Sequence, residues 1–155
     1  AVKGRDGCRT PMVWEGDTPH AGFSSATPWL PVKAPQQARA VDRQESDPES
    51  ILNFYRRTIA FRKASPALSG GKTTFLDLPE PVLGFRRSAA GQTLTCLFNL
   101  SPRQADFRLS GPADLTGPSS ARMAEGLLSL PGNGFAFLHH DGALALHQST
   151  FEAAL

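Results

Sequence analysis

Gly4-Arg5-Asp6-Gly7-Cys8-Arg9-Thr10-Pro11-Met12-Val13-Trp14 opens the chain and is followed by Ala21-Gly22-Phe23-Ser24 and Pro28-Trp29-Leu30-Pro31-Val32. Both tryptophans of the chain lie here, among Gly and Pro residues spaced too closely for a long helix or a central strand. The stretch therefore reads as a shaped loop. Aromatic rings offer broad rigid surfaces and the neighbouring Arg and Asp residues offer directed hydrogen bonds, which is how a pocket wall is built. An ordinary surface loop anchored by two tryptophans has the same composition, and at this point both readings stand.

The order of the three blocks carries more information than their composition. Arg9-Thr10-Pro11-Met12-Val13-Trp14, Ala21-Gly22-Phe23-Ser24 and Pro28-Trp29-Leu30-Pro31-Val32 closely resemble the long loop that follows the last barrel strands in one branch of the α-amylase superfamily. That branch holds the α-glucosidases and oligo-1,6-glucosidases of glycoside hydrolase family 13. Two positions depart from its pattern: the family usually has Pro or Gln where Val13 stands, and Asp where Glu15 stands.

A (β/α)₈ barrel needs about 250 residues, and the chain has 155. The resemblance therefore implies a C-terminal fragment of a (β/α)₈ barrel enzyme: a long loop and the last barrel helix, then an all-β antiparallel sandwich, domain C of that family. The chain begins with Ala1 and enters the loop without a preceding strand, which also reads as the C-terminal piece of a longer polypeptide. The expected division is 1–68 as the end of the catalytic barrel, with the substrate-side loop over 1–46 and the helix over 47–64, and 69–155 as the sandwich.

The helix has a physical start signal. Asp47 can cap free amides, Pro48 suits a first helical position and Glu49 favours the positive dipole end. Ile51, Leu52, Phe54, Tyr55, Ile59 and Phe61 make a broad apolar face, with Asn53, Arg56, Arg57, Arg62 and Lys63 around the rest. Pro66 cannot continue the helix, so one helix is expected from about Asp47 to Ala64. Arg62-Lys63-Ala64-Ser65-Pro66-Ala67-Leu68 resembles the ending of the family's last barrel helix. Between the loop and this helix, Lys33 to Glu45 is polar, has no clear period and reads as further extended loop.

From Gly70 onward, short apolar or alternating runs are separated by Gly and Pro. The predicted strands are Lys72 to Leu76, Val82 to Arg87, Thr93 to Leu100, Ala105 to Leu109, Leu127 to Leu130, Gly134 to His139 and Leu144 to His147. Several short strands at this spacing predict an antiparallel sandwich or barrel. Thr93 to Pro102 resembles the central strand of the family's C-terminal module, and Leu130 to Phe135 the turn into its penultimate strand. A sandwich this small buries a modest share of its surface, so it is expected to dock on the helix and on the missing barrel.

Charge and cysteine usage exclude some classes. A net charge of +2 with 19% charged residues gives no basis for nucleic-acid or membrane electrostatics. No run has the length of a transmembrane helix, and no signal-peptide pattern is visible. Cys8 and Cys96 are far apart in sequence, no Cys or His spacing suggests zinc, and two reduced thiols in a cytoplasmic protein are expected. The Asn99-Leu100-Ser101 sequon precedes Pro102 at a strand end and reads as chance.

Retaining glycoside hydrolysis needs two carboxylates about 5 to 5.5 Å apart. In the resembling family both lie on earlier barrel strands, together with a third Asp, and none of their motifs is in this sequence. No catalytic residue, metal or cofactor is assigned, and this piece alone is expected to be inactive. The resemblance implies substrate binding by Arg9, whose matching residue lies near the terminal glucose and pairs with an upstream Asp. A guanidinium can hold a carboxylate and a sugar hydroxyl together; the competing reading has Arg9 bracing the loop through backbone carbonyls. Asp6 and Arg5 are weaker candidates, with a loop-internal ion pair as the alternative. Trp14 and Phe23 either stack on a sugar ring or anchor the loop.

Adjacent His139 and His140 point to opposite faces of a strand and are poorly placed to share a metal, while His20 and His147 are expected to be exposed. The activity implied for the whole protein is cleavage of a terminal α-glucosidic bond with retention, with water or another hydroxyl accepting the glucosyl group. Its expected partners are an α-glucoside and the missing barrel portion, with no nucleic acid and no membrane. Two other classes fit the same chain: a non-catalytic carbohydrate-binding or stabilising β-module, and a barrel relative that has lost its carboxylates and serves as a protein partner.

Overall fold

A computed structural model of the chain describes residues 4–149. It divides into two compact units, Ala1–Arg56 and Arg57–Leu155. The division falls inside a helix, earlier than the boundary expected near residue 68. The reason lies in packing: Phe61, Ala67 and Leu68 belong to the apolar cluster of the second unit.

In the first unit, short turns of 3-10 helix over Arg5–Cys8 and Pro19–Gly22 precede two short helices, α1 (Ala34–Gln37) and α2 (Val41–Glu45). The latter two replace the extended loop expected between Lys33 and Glu45. Helices of four and five residues have too few positions to show a period, so their polar sequence hid them. The unit's apolar centre is small: Val13, Ala21 and Ala40 are buried, with Val32 packed against them.

Helix α3 spans Ile51–Ala64, so it starts four residues later than expected. Asp47 spends its carboxylate on a turn, accepting from the Glu49 amide at 2.9 Å. Ser50 is the capping residue, since its Oγ accepts from the Asn53 amide at 3.2 Å and donates to the Gln44 carbonyl at 2.7 Å. Asn53 Nδ2 then gathers the carbonyls of Gln44, Glu45 and Asp47. These bonds satisfy the last carbonyls of α2.

Pro66 ends α3 and also starts another helix, α4 (Pro66–Gly70), where its missing amide costs nothing at the first position. Arg87 fixes α4 to the sheet by donating from Nε to the Ala67 carbonyl at 3.1 Å and from Nη2 to the Leu68 carbonyl at 3.2 Å. Gln92 Oε1 accepts from the Ala67 amide.

Nine strands follow among the described residues: β1 (Lys72–Phe75), β2 (Val82–Ala89), β3 (Gln92–Asn99), β4 (Ala105–Ser110), β5 (Asp114–Leu115), β6 (Arg122–Ala124), β7 (Leu127–Leu130), β8 (Phe135–His139) and β9 (Ala145–Gln148). They form a five-stranded sheet in the order β1-β2-β3-β8-β5 and a four-stranded sheet in the order β6-β7-β4-β9, every pairing antiparallel. All seven predicted strands are present; β5 and β6 are additional and too short to alternate.

The two sheets share one core. Val82, Leu97, Ala136 and Leu138 from the larger sheet pack in one cluster with Ala105, Phe107, Leu128 and Leu130 from the smaller. On its other face, the larger sheet presents Leu94, Cys96 and Phe137 to Ala67, with Phe61, Leu68, Phe85, Phe98 and Phe135 around them. Gly117 has φ +62, and a Cβ there would lie 2.6 Å from the Phe61 ring, so only glycine lets this helix residue seat on the sheet.

Several polar groups inside the sandwich are paired, whereas the buried Arg86 Nε, Gln148 Nε2 and Ser149 Oγ have no hydrogen-bond partner among the described residues. Asn99 is buried; its Nδ2 donates to the carbonyls of Arg103 and Pro131, and its Oδ1 accepts from Ser101. A buried, fully engaged amide cannot carry a glycan in the folded chain. His140 is buried between Thr95 Oγ1 at 2.9 Å and the Gly142 carbonyl at 2.8 Å. A carbonyl only accepts, so Nδ1 carries a proton. His139 lies on the opposite face, 3.8 Å from Asp141. Among the described residues no helix is long and apolar enough to cross a membrane, and no group of His, Cys, Asp or Glu is placed to hold a metal ion.

Candidate functional site

Pro11 and Val13 are buried while Met12 and Trp14 face outward, the alternation of an extended segment. Two later segments hold this one in place. The amides of Trp14 and Glu15 both donate to the Ala21 carbonyl, at 3.0 and 3.2 Å, and the amides of Val41 and Asp42 donate to the carbonyls of Val13 and Trp14, each at 3.1 Å.

Side chains repeat the connection at a constant separation of 26 residues. Gln36 Nε2 donates to Thr10 Oγ1 at 2.6 Å, the Gly16 amide donates to the Asp42 carboxylate at 3.1 Å, and Arg43 pairs with Asp17 at 2.7 Å. Thr10, Gly16 and Asp17 are thus tied to Gln36, Asp42 and Arg43. This latch was invisible in the sequence, where Gln36, Asp42 and Arg43 sit in a featureless polar run and their partners are far away along the chain.

The latch sets where the candidate residues go. Arg9 follows the first 3-10 turn, its amide donating to the Asp6 carbonyl at 3.1 Å. Its side chain is exposed, and among the described residues it forms no hydrogen bond to a loop carbonyl. Asp6 and Arg5 are exposed as well and form no ion pair with each other among the described residues.

Trp14 and Phe23 are each 50% exposed. The loop is anchored by Val13, Ala21 and Ala40 instead, and both aromatic rings remain accessible. Val13, one of the two positions that depart from the family pattern, faces the loop's own core rather than a ligand. Glu15, the other, is exposed and packs beside Gly22. The structure brings Trp14 and Ala21 together through the backbone, while Arg9 and Asp6 stand on a separate turn.

His20 is only partly exposed, contrary to expectation. It belongs to a run of three left-handed residues, His20 (φ 54), Ala21 (φ 57) and Gly22 (φ 65). That conformation costs a residue with a Cβ about 1 kcal/mol or more. It persists because the Ala21 methyl is buried and its carbonyl takes two amides.

The thiols differ in the same way as their surroundings. Cys8 is exposed, Cys96 is buried, and neither is in a disulfide. Burial pushes the Cys96 thiol up to about 11, the Arg87 charge opposing the shift in part. It stays protonated and unreactive.

Comparison with known proteins assigns the chain. Residues 1–71 match the model of the alpha amylase catalytic domain. Over 107 residues the chain is 55% identical to the "Probable alpha-glucosidase" of Rhizobium meliloti (strain 1021), covering 69% of this chain and 19% of that protein. Over 120 residues it is 36% identical to the oligo-1,6-glucosidase of Halalkalibacterium halodurans, covering 76% and 21%.

Among solved structures, the alpha-glucosyl transfer enzyme XgtA superposes with a TM-score of 0.78 at 43% identity, over 88% of this chain and 26% of that one. A MutB mutant in complex with its substrate sucrose superposes with a TM-score of 0.71 at 30% identity, over the same shares. The chain spans about a fifth of the length of the curated relatives it matches. In loop motifs, in sequence and in its paired antiparallel sheets, the chain belongs to the α-amylase family, glycoside hydrolase family 13, among its α-glucosidase and oligo-1,6-glucosidase members.

Proposed function

We propose that this chain is part of a retaining α-glucosidase that hydrolyses, or transfers, terminal α-linked glucose from small α-glucosides. The observation that carries this reading is the 55% identity to the Rhizobium protein, together with an opening loop whose aromatic rings stay accessible. In this reading residues 1–68 close a (β/α)₈ barrel, α3 is its last helix, and the sandwich is the C-terminal domain.

The reactive carboxylates come from the rest of the polypeptide, so the 155-residue chain alone is inactive. Ile51, Tyr55 and Ile59 on α3, and Phe75 and Leu83 on the sheet, are exposed apolar side chains, as expected of surfaces that the remainder of the enzyme covers. The free thiols accord with a reducing cytoplasmic compartment.

Within the site, the Arg9 guanidinium receives a carboxylate from the barrel and a hydroxyl of the terminal glucose, while Trp14 and Phe23 supply ring faces and Asp6 a polar contact at the rim. The test is kinetic. In the full-length protein, Arg9→Ala lowers kcat/KM for a small α-glucoside about tenfold or more, the loss expected of a charge-assisted contact. Unchanged kinetics would remove Arg9 from the pocket, and a full-length protein that cleaves no α-glucoside would overturn the reading.

A further inference from the structure

A cavity of about 330 Å³ in the first unit is lined by His20, Thr27, Pro28, Trp29, Pro31 and Gln37, among others. None of its lining residues is Asp, Glu, Lys or Arg. The neighbouring hollow of the same unit differs, being lined by the Asp17 and Arg43 pair. Trp29 is 77% exposed, so its indole is a wall of the cavity and not a core anchor.

The two sides of this cavity are stiff. Pro28 and Pro31 flank the tryptophan and fix their own φ angles, which limits the backbone freedom of this segment. His20 and Ala21, also in the lining, belong to the left-handed run that ends at Gly22, strained in a residue that carries an imidazole and locked by the buried Ala21. Strain of this kind is retained where a side chain must be held in one place.

We propose that this cavity is a binding site for one neutral pyranose ring. The ring's C–H face stacks on Trp29, and its hydroxyls exchange hydrogen bonds with His20, Thr27 and Gln37. An uncharged wall disfavours phosphorylated or carboxylated sugars, because an ion brought there loses water and meets no fixed opposite charge. The volume lies at the lower end of ligand cavities and has room for a pyranose ring. The site rests on the glucosidase reading for its ligand class, and adds a sugar position apart from Arg9, Asp6, Trp14 and Phe23.

The test uses the full-length protein and a sulfur-linked glucose trisaccharide, which resists cleavage. Its binding is titrated calorimetrically for the wild type, Trp29→Ala and Trp29→Phe. Trp29→Ala weakens binding roughly fivefold to tenfold, as for a lost stacking contact, and Trp29→Phe restores most of it.

An unchanged affinity in Trp29→Ala overturns the site, and so does a wild-type Trp29 that acrylamide cannot quench, since the rest of the polypeptide then covers it. Turnover of an aryl α-glucoside is measured alongside. Turnover with unchanged affinity sinks the site and keeps the glucosidase reading. No turnover with affinity lost in Trp29→Ala does the reverse.

Discussion

The two units of this chain are held together by different means. In the second, eight buried residues of two sheets and Leu144 form one cluster around Phe107, Leu128 and Leu130, and its buried polar groups Asn99, Thr95 and His140 are hydrogen-bonded. In the first, three small buried side chains, Val13, Ala21 and Ala40, stand in for a core, and long-range hydrogen bonds at constant separation do the rest. Apolar burial makes a unit cooperative, whereas a latch of polar bonds over a few methyl groups leaves one open to local unfolding. In the glucosidase reading proposed above, the accessible rings of Trp14 and Phe23 belong to the unit with little core.

Substitutions in each unit sharpen the contrast. Phe107→Ala removes a fully buried ring and lowers stability by about 4 kcal/mol, which urea unfolding followed by circular dichroism measures. Asp42→Ala deletes the carboxylate that accepts from Gly16 and loosens the first unit by about 2 kcal/mol. Limited proteolysis between residues 15 and 40 then speeds up while the sandwich resists. Equal effects of the two substitutions on a single unfolding transition would break the distinction.

The smallest expected effect is one of pH. Below pH 9 both folded and unfolded chains hold the Cys96 proton, so this group contributes no slope. Between pH 9 and about 11 only the unfolded chain releases it, so stability falls as pH rises, by about 1 kcal/mol at pH 10. Unfolding midpoints across that window give the slope, and Cys96→Ala abolishes the cysteine's share of it. Ellman's reagent titrates Cys8 in the native chain and reaches Cys96 only after denaturation.

The sequence and the structure agree where the signals were local. Thr93 to Leu100 alternates and is flanked by turn residues, and β3 lies there; the apolar face of Ile51 to Phe61 is helical. Strands β5 and β6 have two and three residues, below the length at which alternation exists. Helix α4 has a legible start in Ser65-Pro66, because a proline that stops one helix also suits the first position of the next.

In the candidate site, the motif blocks pointed to Arg9, Trp14 and Phe23 as substrate-binding candidates, while the latch through Gln36, Asp42 and Arg43 was not legible. Contacts 26 residues apart leave no local pattern. The left-handed run at His20 was equally hidden, since only tertiary packing around Ala21 forces a histidine into that conformation.

Amide hydrogen exchange, taken on the 155-residue chain and on the full-length enzyme, is the most direct measurement. In both, the amides of Leu94 to Asn99 and Phe135 to His139 exchange slowly. Those of Trp14, Glu15, Gly16 and Val41 exchange fast in the short chain and become protected only in the complete enzyme, further so with an α-glucoside bound. Loop amides as slow as the strands in the short chain would contradict the claim that the first unit is completed by the rest of a glucosidase.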